Sequence, residues 1–130
     1  MVHPLKCPTV LCVDDADAIL KFYEELFGIH GYQVVAATNG YQALDAFHSN
    51  APNIHAVVLD YDMPGMSGLD LAILLKRHDR KLPIMMVSGV HPSWEEISPY
   101  VDAALAKGVS IREIVRQVEF LVTQRFVRGV

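Results

Sequence analysis

Residues 56–65 read AVVLDYDMPG, a short apolar run that ends at Asp60 and is followed by a second acid, Asp62, and a Pro-Gly pair. Consecutive apolar residues bounded by turn formers are typical of a strand buried on both faces, as in a parallel sheet. Asp60 then lies where this strand leaves the sheet. Since open α/β sheets bind ligands at the carboxyl ends of their strands, Asp60 is a candidate site residue. The alternative is that it only caps the next turn.

Further apolar runs predict four more strands, at residues 9–13, 32–37, 82–87 and 103–106. Apolar residues at helical spacing separate them. Ser67, with Asp70 three residues later, and Ser110 are candidate helix caps. Pro92 and Pro99 bracket a segment with room for only a short or irregular helix. Strands that alternate with helices predict a doubly wound α/β domain: a five-stranded parallel sheet with right-handed crossovers and helices on both faces.

Composition narrows the function classes. The chain has 130 residues, 52% of them hydrophobic and 20% charged, which predicts one folded domain rather than a disordered chain. Its net charge of −4 argues against a nucleic-acid partner.

No apolar run reaches the roughly 18 residues of a membrane span, and the start, MVHP, lacks a signal-peptide core. We therefore expect a cytoplasmic protein without a membrane partner. Cys7 and Cys12 are expected to be inert thiols, and six scattered histidines do not support a zinc site.

Chemically distinctive residues follow four of the five predicted strands. They are Asp14 and Asp15 after the first, Asp60 after the third, Ser88 after the fourth and Lys107 after the fifth. One acid would suffice to cap the first helix, so two adjacent acids leave a carboxylate unexplained. In a parallel sheet all these groups meet at one edge, where three carboxylates raise each other's pKa unless a cation intervenes. Mg²⁺ is the natural candidate because it prefers hard oxygen ligands.

This set of groups suits phosphoryl transfer to a carboxylate. Asp60 would attack phosphorus, Lys107 and the metal would neutralise phosphoryl oxygens, and Ser88 would hydrogen-bond one of them. Gly89 is small enough to leave room for the phosphoryl group. The sequence has no Gly-rich phosphate loop of the Walker type, so nucleotide binding is not supported.

The chain resembles the response regulator receiver domain of two-component signalling from residue 9 to about residue 123. The matching segments are residues 13–15, residues 59–68, Ser88-Gly89 and Lys107. The resemblance implies a flavodoxin-like, CheY-like sheet of order 2-1-3-4-5. It also implies that Asp60 receives its phosphoryl group from a phosphohistidine on a sensor histidine kinase or a histidine phosphotransfer protein.

The resemblance further implies a role for each site residue. Asp15, Asp60 and the backbone carbonyl of Asp62 would coordinate Mg²⁺, with Asp14 acting through water. Ser88 and Lys107 would contact the phosphoryl group. The side chain of Asp62 would lie near the incoming water and affect the lifetime of the phosphoryl group, or it is simply a solvated loop acid.

Two positions depart from the family pattern. Ala104 stands where the family usually has an aromatic residue whose rotation reports phosphorylation, and Gly108 replaces a proline that follows a cis bond. Because a cis bond before a residue other than proline costs about 2.5–4 kcal/mol, we expect a trans bond and a displaced loop at Gly108. We therefore expect intact phosphorylation chemistry with an unconventional readout.

The leading interpretation is a stand-alone receiver: residues 1–130 form a single domain without an output domain. It is not an enzyme, and it signals by binding an unknown downstream protein. A homodimer through the last strand and its helices is a further expectation. One alternative is a phosphorylation-independent interaction module. Another alternative is an Mg²⁺-dependent phosphatase. The spacing of Asp60 and Asp62 is similar to the Asp-x-Asp motif of haloacid-dehalogenase-type phosphatases, which also form an aspartyl-phosphate with Mg²⁺. The substrate-enclosing insertions of those enzymes are missing from this sequence.

Overall fold

Five strands alternate with five helices in the computed structural model, which describes residues 7–50, 53–90 and 92–127. The chain start and the loop at Pro52 lie outside the described residues. The elements are β1 (Thr9–Val13), α1 (Asp17–Ile29), β2 (Gln33–Ala37), α2 (Gly40–Asn50), β3 (Ile54–Asp60), α3 (Gly68–His78), β4 (Ile84–Ser88), α4 (Trp94–Ile97), β5 (Ala103–Ala106) and α5 (Ile111–Val127).

The strands form one parallel sheet of order β2-β1-β3-β4-β5, which confirms the predicted fold class. Several strand boundaries differ from the sequence prediction: β2 begins at Gln33 rather than at residue 32, and β4 ends at Ser88 rather than at residue 87. β3 includes Asp60, which pairs with Val87 of β4. β4 begins at Ile84 rather than at residue 82, because Pro83 has no N–H to donate and only its carbonyl bonds, to the Val57 N–H at 2.9 Å.

Alternating side chains of the sheet build two apolar layers. On β1, Leu11 and Val13 face the layer that contains buried residues of α2, α3 and α4. Val10 and Cys12 face the opposite layer, which α1 and α5 cover. Every residue of β1 and β4 is buried. Burial on both faces explains why these strands read as continuous apolar runs rather than alternating ones.

Local signals in the sequence set several helix ends. Ser67 accepts a hydrogen bond from the Asp70 N–H at 3.1 Å, and Ser110 accepts one from the Glu113 N–H at 3.2 Å, as expected of helix caps. Helix α4 is a single turn, and its Trp94 is 53% exposed. None of the helices in the described ranges is both long and apolar enough to cross a membrane.

Gly68 lets α3 begin directly behind the end of β3. Its N–H donates to the Tyr61 carbonyl at 3.1 Å. A Cβ on Gly68 would lie 2.8 Å from the Tyr61 Cα and would also collide with the carbonyl oxygen of Asp60. Because both neighbours are backbone atoms, they cannot move aside as a flexible side chain would. A residue without a side chain is therefore required next to Asp60.

We expect Gly68→Ala to lower the free energy of unfolding by about 1–3 kcal/mol, since the added methyl group overpacks this contact. Gly28→Ala is the matched control: it lies near the end of α1, a Cβ there meets nothing within 4 Å, and the change should stabilise the helix by roughly 0.5–1 kcal/mol. Urea denaturation of both variants measures the difference. A Gly68→Ala protein as stable as the wild type would contradict this account.

Candidate functional site

Three acids meet at the carboxyl edge of the sheet. Asp14 directly follows β1, Asp15 is next to it, and Asp60 ends the neighbouring strand β3. One carboxylate oxygen from each lies within 4.8 Å of the other two. Asp14 is 5% exposed and Asp60 only 1%, whereas Asp15 is exposed to solvent. The far-apart acids singled out in the sequence therefore form one cluster, called the acid cluster below.

The hydrogen bonds of these acids show which of them cap a helix or a turn. Asp14 Oδ1 accepts from the Ala16 N–H at 2.9 Å, but the residue at the N-cap of α1 is Ala16. The capping alternative thus explains neither Asp14 nor Asp15. Asp60 Oδ1 accepts from the Asp62 N–H at 3.0 Å, so Asp60 does hold the following turn, as the alternative suggested. Its second oxygen, Oδ2, is left to interact with a cation.

Lys107 supplies that cation from the end of β5. Its Nζ donates to Asp60 Oδ2 at 3.2 Å, while the side chain stays 45% exposed. Its backbone N–H donates to the Ser88 carbonyl at 2.8 Å, which fixes the chain just beyond β5 against β4. The sequence placed Lys107 and Asp60 at the same edge of the sheet, and the structure brings them into direct contact.

Ser88 is buried at the end of β4, with its Oγ accepting from the Val90 N–H at 3.1 Å. Its hydroxyl is thus held in the loop that follows β4 and makes no hydrogen bond to Asp60. At Gly89 an added Cβ would lie 3.6 Å from Lys107 Cδ and 3.8 Å from Asp62 Oδ2. These are ordinary contacts, so packing alone does not require glycine there, and its role in leaving room for a phosphoryl group stays a prediction.

Burial is the main cause of the unusual electrostatics. It raises the pKa of Asp60, and the charge of Asp15 adds to that rise, whereas the Asp62 N–H and Lys107 oppose it. Burial likewise raises the pKa of Asp14, with a smaller contribution from the Asp60 carboxylate. The sequence predicts such shifts from repulsion among the acids. Repulsion contributes, but loss of solvation contributes more because the strand ends are covered.

The pKa of Lys107 is raised, which favours its positively charged form. Partial burial lowers it, but the hydrogen bond and the charge of Asp60 raise it by more. Asp14 and Asp62 raise it further. Lys107 thus contributes one positive charge beside the three carboxylates of the acid cluster, Asp14, Asp15 and Asp60, which on its own leaves them with excess negative charge. Three hard oxygen donors in this arrangement fit a divalent cation such as Mg²⁺.

Two cavities that the sequence did not indicate lie at the carboxyl ends of the strands, one beside the acid cluster and one beside Ser88. One, of about 230 Å³, opens beside Asp15 and Lys107 and has apolar walls that include Tyr23 and Ile114. The other, of about 150 Å³, is lined by Ser88, Ala104 and Trp94, among others. The spacing of Tyr23 and Ile114 along their helices indicates only that they face the sheet. A cavity between two elements cannot be predicted from the sequence of either element alone.

Comparisons with known proteins identify the family of the chain. The model of the response regulator receiver domain matches residues 10–119. Transcriptional regulatory protein PrrA of Mycobacterium tuberculosis is 30% identical over 121 residues, which cover 91% of this chain and 51% of PrrA. Sensor histidine kinase GacS of Pseudomonas protegens is 31% identical over 121 residues, covering 87% of this chain and 13% of the kinase. The chain thus spans about half the length of PrrA and a small part of GacS.

Among solved structures, the response regulator TrrA of Thermotoga maritima, in complex with Mg²⁺ and BeF, superposes with a TM-score of 0.76. It is 28% identical, and the match covers 88% of this chain and 98% of TrrA. The family match spans most of the chain, and the sheet order is the one that the resemblance implied. The chain belongs to the response regulator receiver domain family of two-component signalling.

Proposed function

We propose that this receiver accepts a phosphoryl group on Asp60 from the phosphohistidine of a sensor histidine kinase or a histidine phosphotransfer protein. It then signals by binding another protein. The observation that carries this proposal is the position of Asp60: a buried carboxylate 3.2 Å from the Lys107 ammonium and grouped with two further acids. The occurrence of a matching segment in the sensor histidine kinase GacS supports a partner of this class.

The transfer forms one bond and breaks another. A carboxylate oxygen of Asp60 attacks phosphorus, the bond from phosphorus to the imidazole nitrogen breaks, and the imidazole leaves with the electron pair and takes up a proton. The product is an aspartyl phosphate. Lys107, already within hydrogen-bond distance of Asp60, would neutralise one phosphoryl oxygen, and the Ser88 hydroxyl would donate to another.

Asp14, Asp15 and Asp60, together with the backbone carbonyl of Asp62, would hold Mg²⁺. The ion would supply positive charge to the phosphoryl oxygens as charge develops on them. The donor set supports this choice, because all the side chains are carboxylates and no imidazole or thiol is among them. The complex of TrrA with Mg²⁺ and BeF supports it as well.

Several finer parts of the proposal go beyond family membership. We propose that the domain is cytoplasmic. We also propose that it is not an enzyme, since the group that is transferred stays on the chain itself. A homodimer through β5 and the flanking helices remains part of the proposal. The exposed Asp62 side chain either changes the rate at which water removes the phosphoryl group or is only a solvated acid. The rival functions are a phosphorylation-independent interaction module and an Mg²⁺-dependent phosphatase.

Incubation with acetyl phosphate and Mg²⁺ tests the phosphoacceptor directly. Intact-mass analysis should show the addition of one phosphoryl group to the wild type and none to Asp60→Asn, since the amide is a poor nucleophile. EDTA should abolish the addition. Asp45→Asn, at an exposed position on α2, is the matched control and should be phosphorylated like the wild type. An unmodified wild type would favour the phosphorylation-independent module, and turnover of a generic phosphate monoester would favour the phosphatase.

We also propose an unconventional readout of phosphorylation. Ala104 presents only a methyl group on β5, next to the cavity that it shares with Ser88 and Trp94. No ring on this strand can therefore follow a movement of the Ser88 hydroxyl. Gly108 adopts a φ of +104°, a conformation that proline cannot take. The backbone after Lys107 therefore differs from that of a receiver with proline at this position.

Amide NMR spectra with and without beryllofluoride, a phosphoryl mimic, test this readout. We expect the largest changes in the loops that carry Asp60, Ser88 and Lys107, with small changes along β5 and its flanking helices, because no aromatic residue on β5 couples the two regions. Shifts centred on β5, α4 and α5 would instead show the readout of ordinary receivers. An Asp60→Asn sample treated in the same way identifies changes that do not depend on the acceptor.

A further inference from the structure

A groove with a volume of about 450 Å³ lies away from the acid cluster, between α3 and the segment that follows α4. Its lining residues are Ile73, Lys76, Arg77, Arg80, Pro99 and Tyr100. Three of the six carry a positive charge, and the other three offer apolar or aromatic surface. In a chain with a net charge of −4, this concentration of positive charge is a local exception.

The ammonium group of Lys76 forms two hydrogen bonds to other parts of the fold. Its Nζ donates to the Leu82 carbonyl at 2.7 Å and to Asp102 Oδ2 at 2.8 Å. The same Asp102 oxygen accepts from the Ile84 N–H at 2.8 Å. Because these bonds connect α3 with β4 and with the residue just before β5, we assign Lys76 a structural role at the base of the groove.

Arg77 and Arg80 have no such engagement. Within the three described ranges neither guanidinium forms an ion pair or a hydrogen bond, and both residues are exposed. Two acids close to this region in the chain, Asp79 next to Arg80 and Asp102 two residues after Tyr100, already form ion pairs with other residues. Asp79 pairs with Arg125 at 3.0 Å, and Asp102 pairs with Lys76. Two positive charges on one wall of the groove are thus left without compensation.

Favourable interaction with the helix dipole accounts for only one of these two arginines. Arg77 lies in the last turn of α3, where a cation stabilises the helix. Arg80 lies two residues beyond His78, the last residue of the helix, where the dipole effect has fallen off. The dipole does not explain why both arginines border a groove whose opposite wall is formed by Pro99 and Tyr100.

We propose that this groove is a docking site for an acidic segment of a partner protein, with its carboxylates on Arg77 and Arg80 and an apolar side chain against Ile73 and Tyr100. Guanidinium groups often bind carboxylates through two parallel hydrogen bonds, and arginine and tyrosine are among the residues enriched at the positions that dominate binding energy at interfaces. A nucleic acid fits less well, because the rest of the chain carries excess negative charge that repels a polyanion. The inference rests on the proposed function, in which the receiver acts by binding another protein, and names the chemistry of that partner.

A short synthetic peptide of Asp and Glu flanking a central Leu serves as the probe, titrated into the full-length ¹⁵N-labelled chain. The acidic peptide should shift the amide signals of Ile73 and Tyr100, whereas a peptide with Asn and Gln in place of the acids should not. Arg77→Glu and Arg80→Glu should each weaken binding by about fivefold or more, since each replaces attraction by repulsion. Arg112→Glu, an exposed reversal on α5, should change affinity by less than about twofold.

Several results would overturn the proposal: no binding of the acidic peptide, shifts located elsewhere, or an equal loss of affinity with Arg112→Glu. Tighter binding of a single-stranded oligonucleotide that depends on the same arginines would assign the groove to nucleic acid instead. Phosphorylation of the two groove variants by acetyl phosphate confirms that they are folded and separates the two proposals. If they bind poorly but are phosphorylated normally, the groove acts apart from the acceptor chemistry. If the wild type binds the peptide but is not phosphorylated, only the proposed function fails.

Discussion

The parallel register of three neighbouring strands is the constraint on which the site depends. Val13 pairs with Leu59, so the residues that follow them, Asp14 and Asp60, end side by side. Asp60 in turn pairs with Val87, which places Ser88 one residue further on. A slip of one residue in any pair would turn the carboxylate toward the opposite face of the sheet. The buried apolar runs that fix the register are therefore as important for the chemistry as the polar residues themselves.

Burial of the strand ends brings the site residues together, but it also makes their negative charges unfavourable. Asp14 and Asp60 are buried, and burial raises the pKa of both. In the part of the chain that the structure describes, the ammonium group of Lys107 is the one cation bonded to the acid cluster, whose three carboxylates have oxygens within 4.8 Å of one another. Ionised at neutral pH, the cluster therefore costs folding free energy that a divalent cation would recover. This physical need for a cation connects the geometry of the site to a phosphoryl-transfer function.

Much of the fold and the cluster follows from sequence patterns. β1 matches its predicted range because its apolar run is bounded by Pro8 and Asp14, and the acids converge because parallel strands share one edge. Other features depend on contacts between distant segments and leave no local signature. Glycine is required at position 68 because the backbone at the end of β3 lies against it. Arg80 does not pair with the neighbouring Asp79 because Asp79 forms an ion pair with Arg125. The exposure of Trp94 is a third case, since the pattern of a one-turn helix does not define a buried face.

Urea unfolding of the wild type and Asp14→Asn, with EDTA or with Mg²⁺, tests the central claim most directly. In EDTA at neutral pH the variant should be more stable by about 1–2 kcal/mol, because Asn keeps the shape of Asp14 without its buried charge. The raised pKa means that the folded state binds this proton more readily, so the advantage should shrink as the pH falls toward the ordinary value of 3.8. Mg²⁺ should stabilise the wild type more than the variant. A variant less stable than the wild type in EDTA, with no response of the wild type to Mg²⁺, would contradict the account.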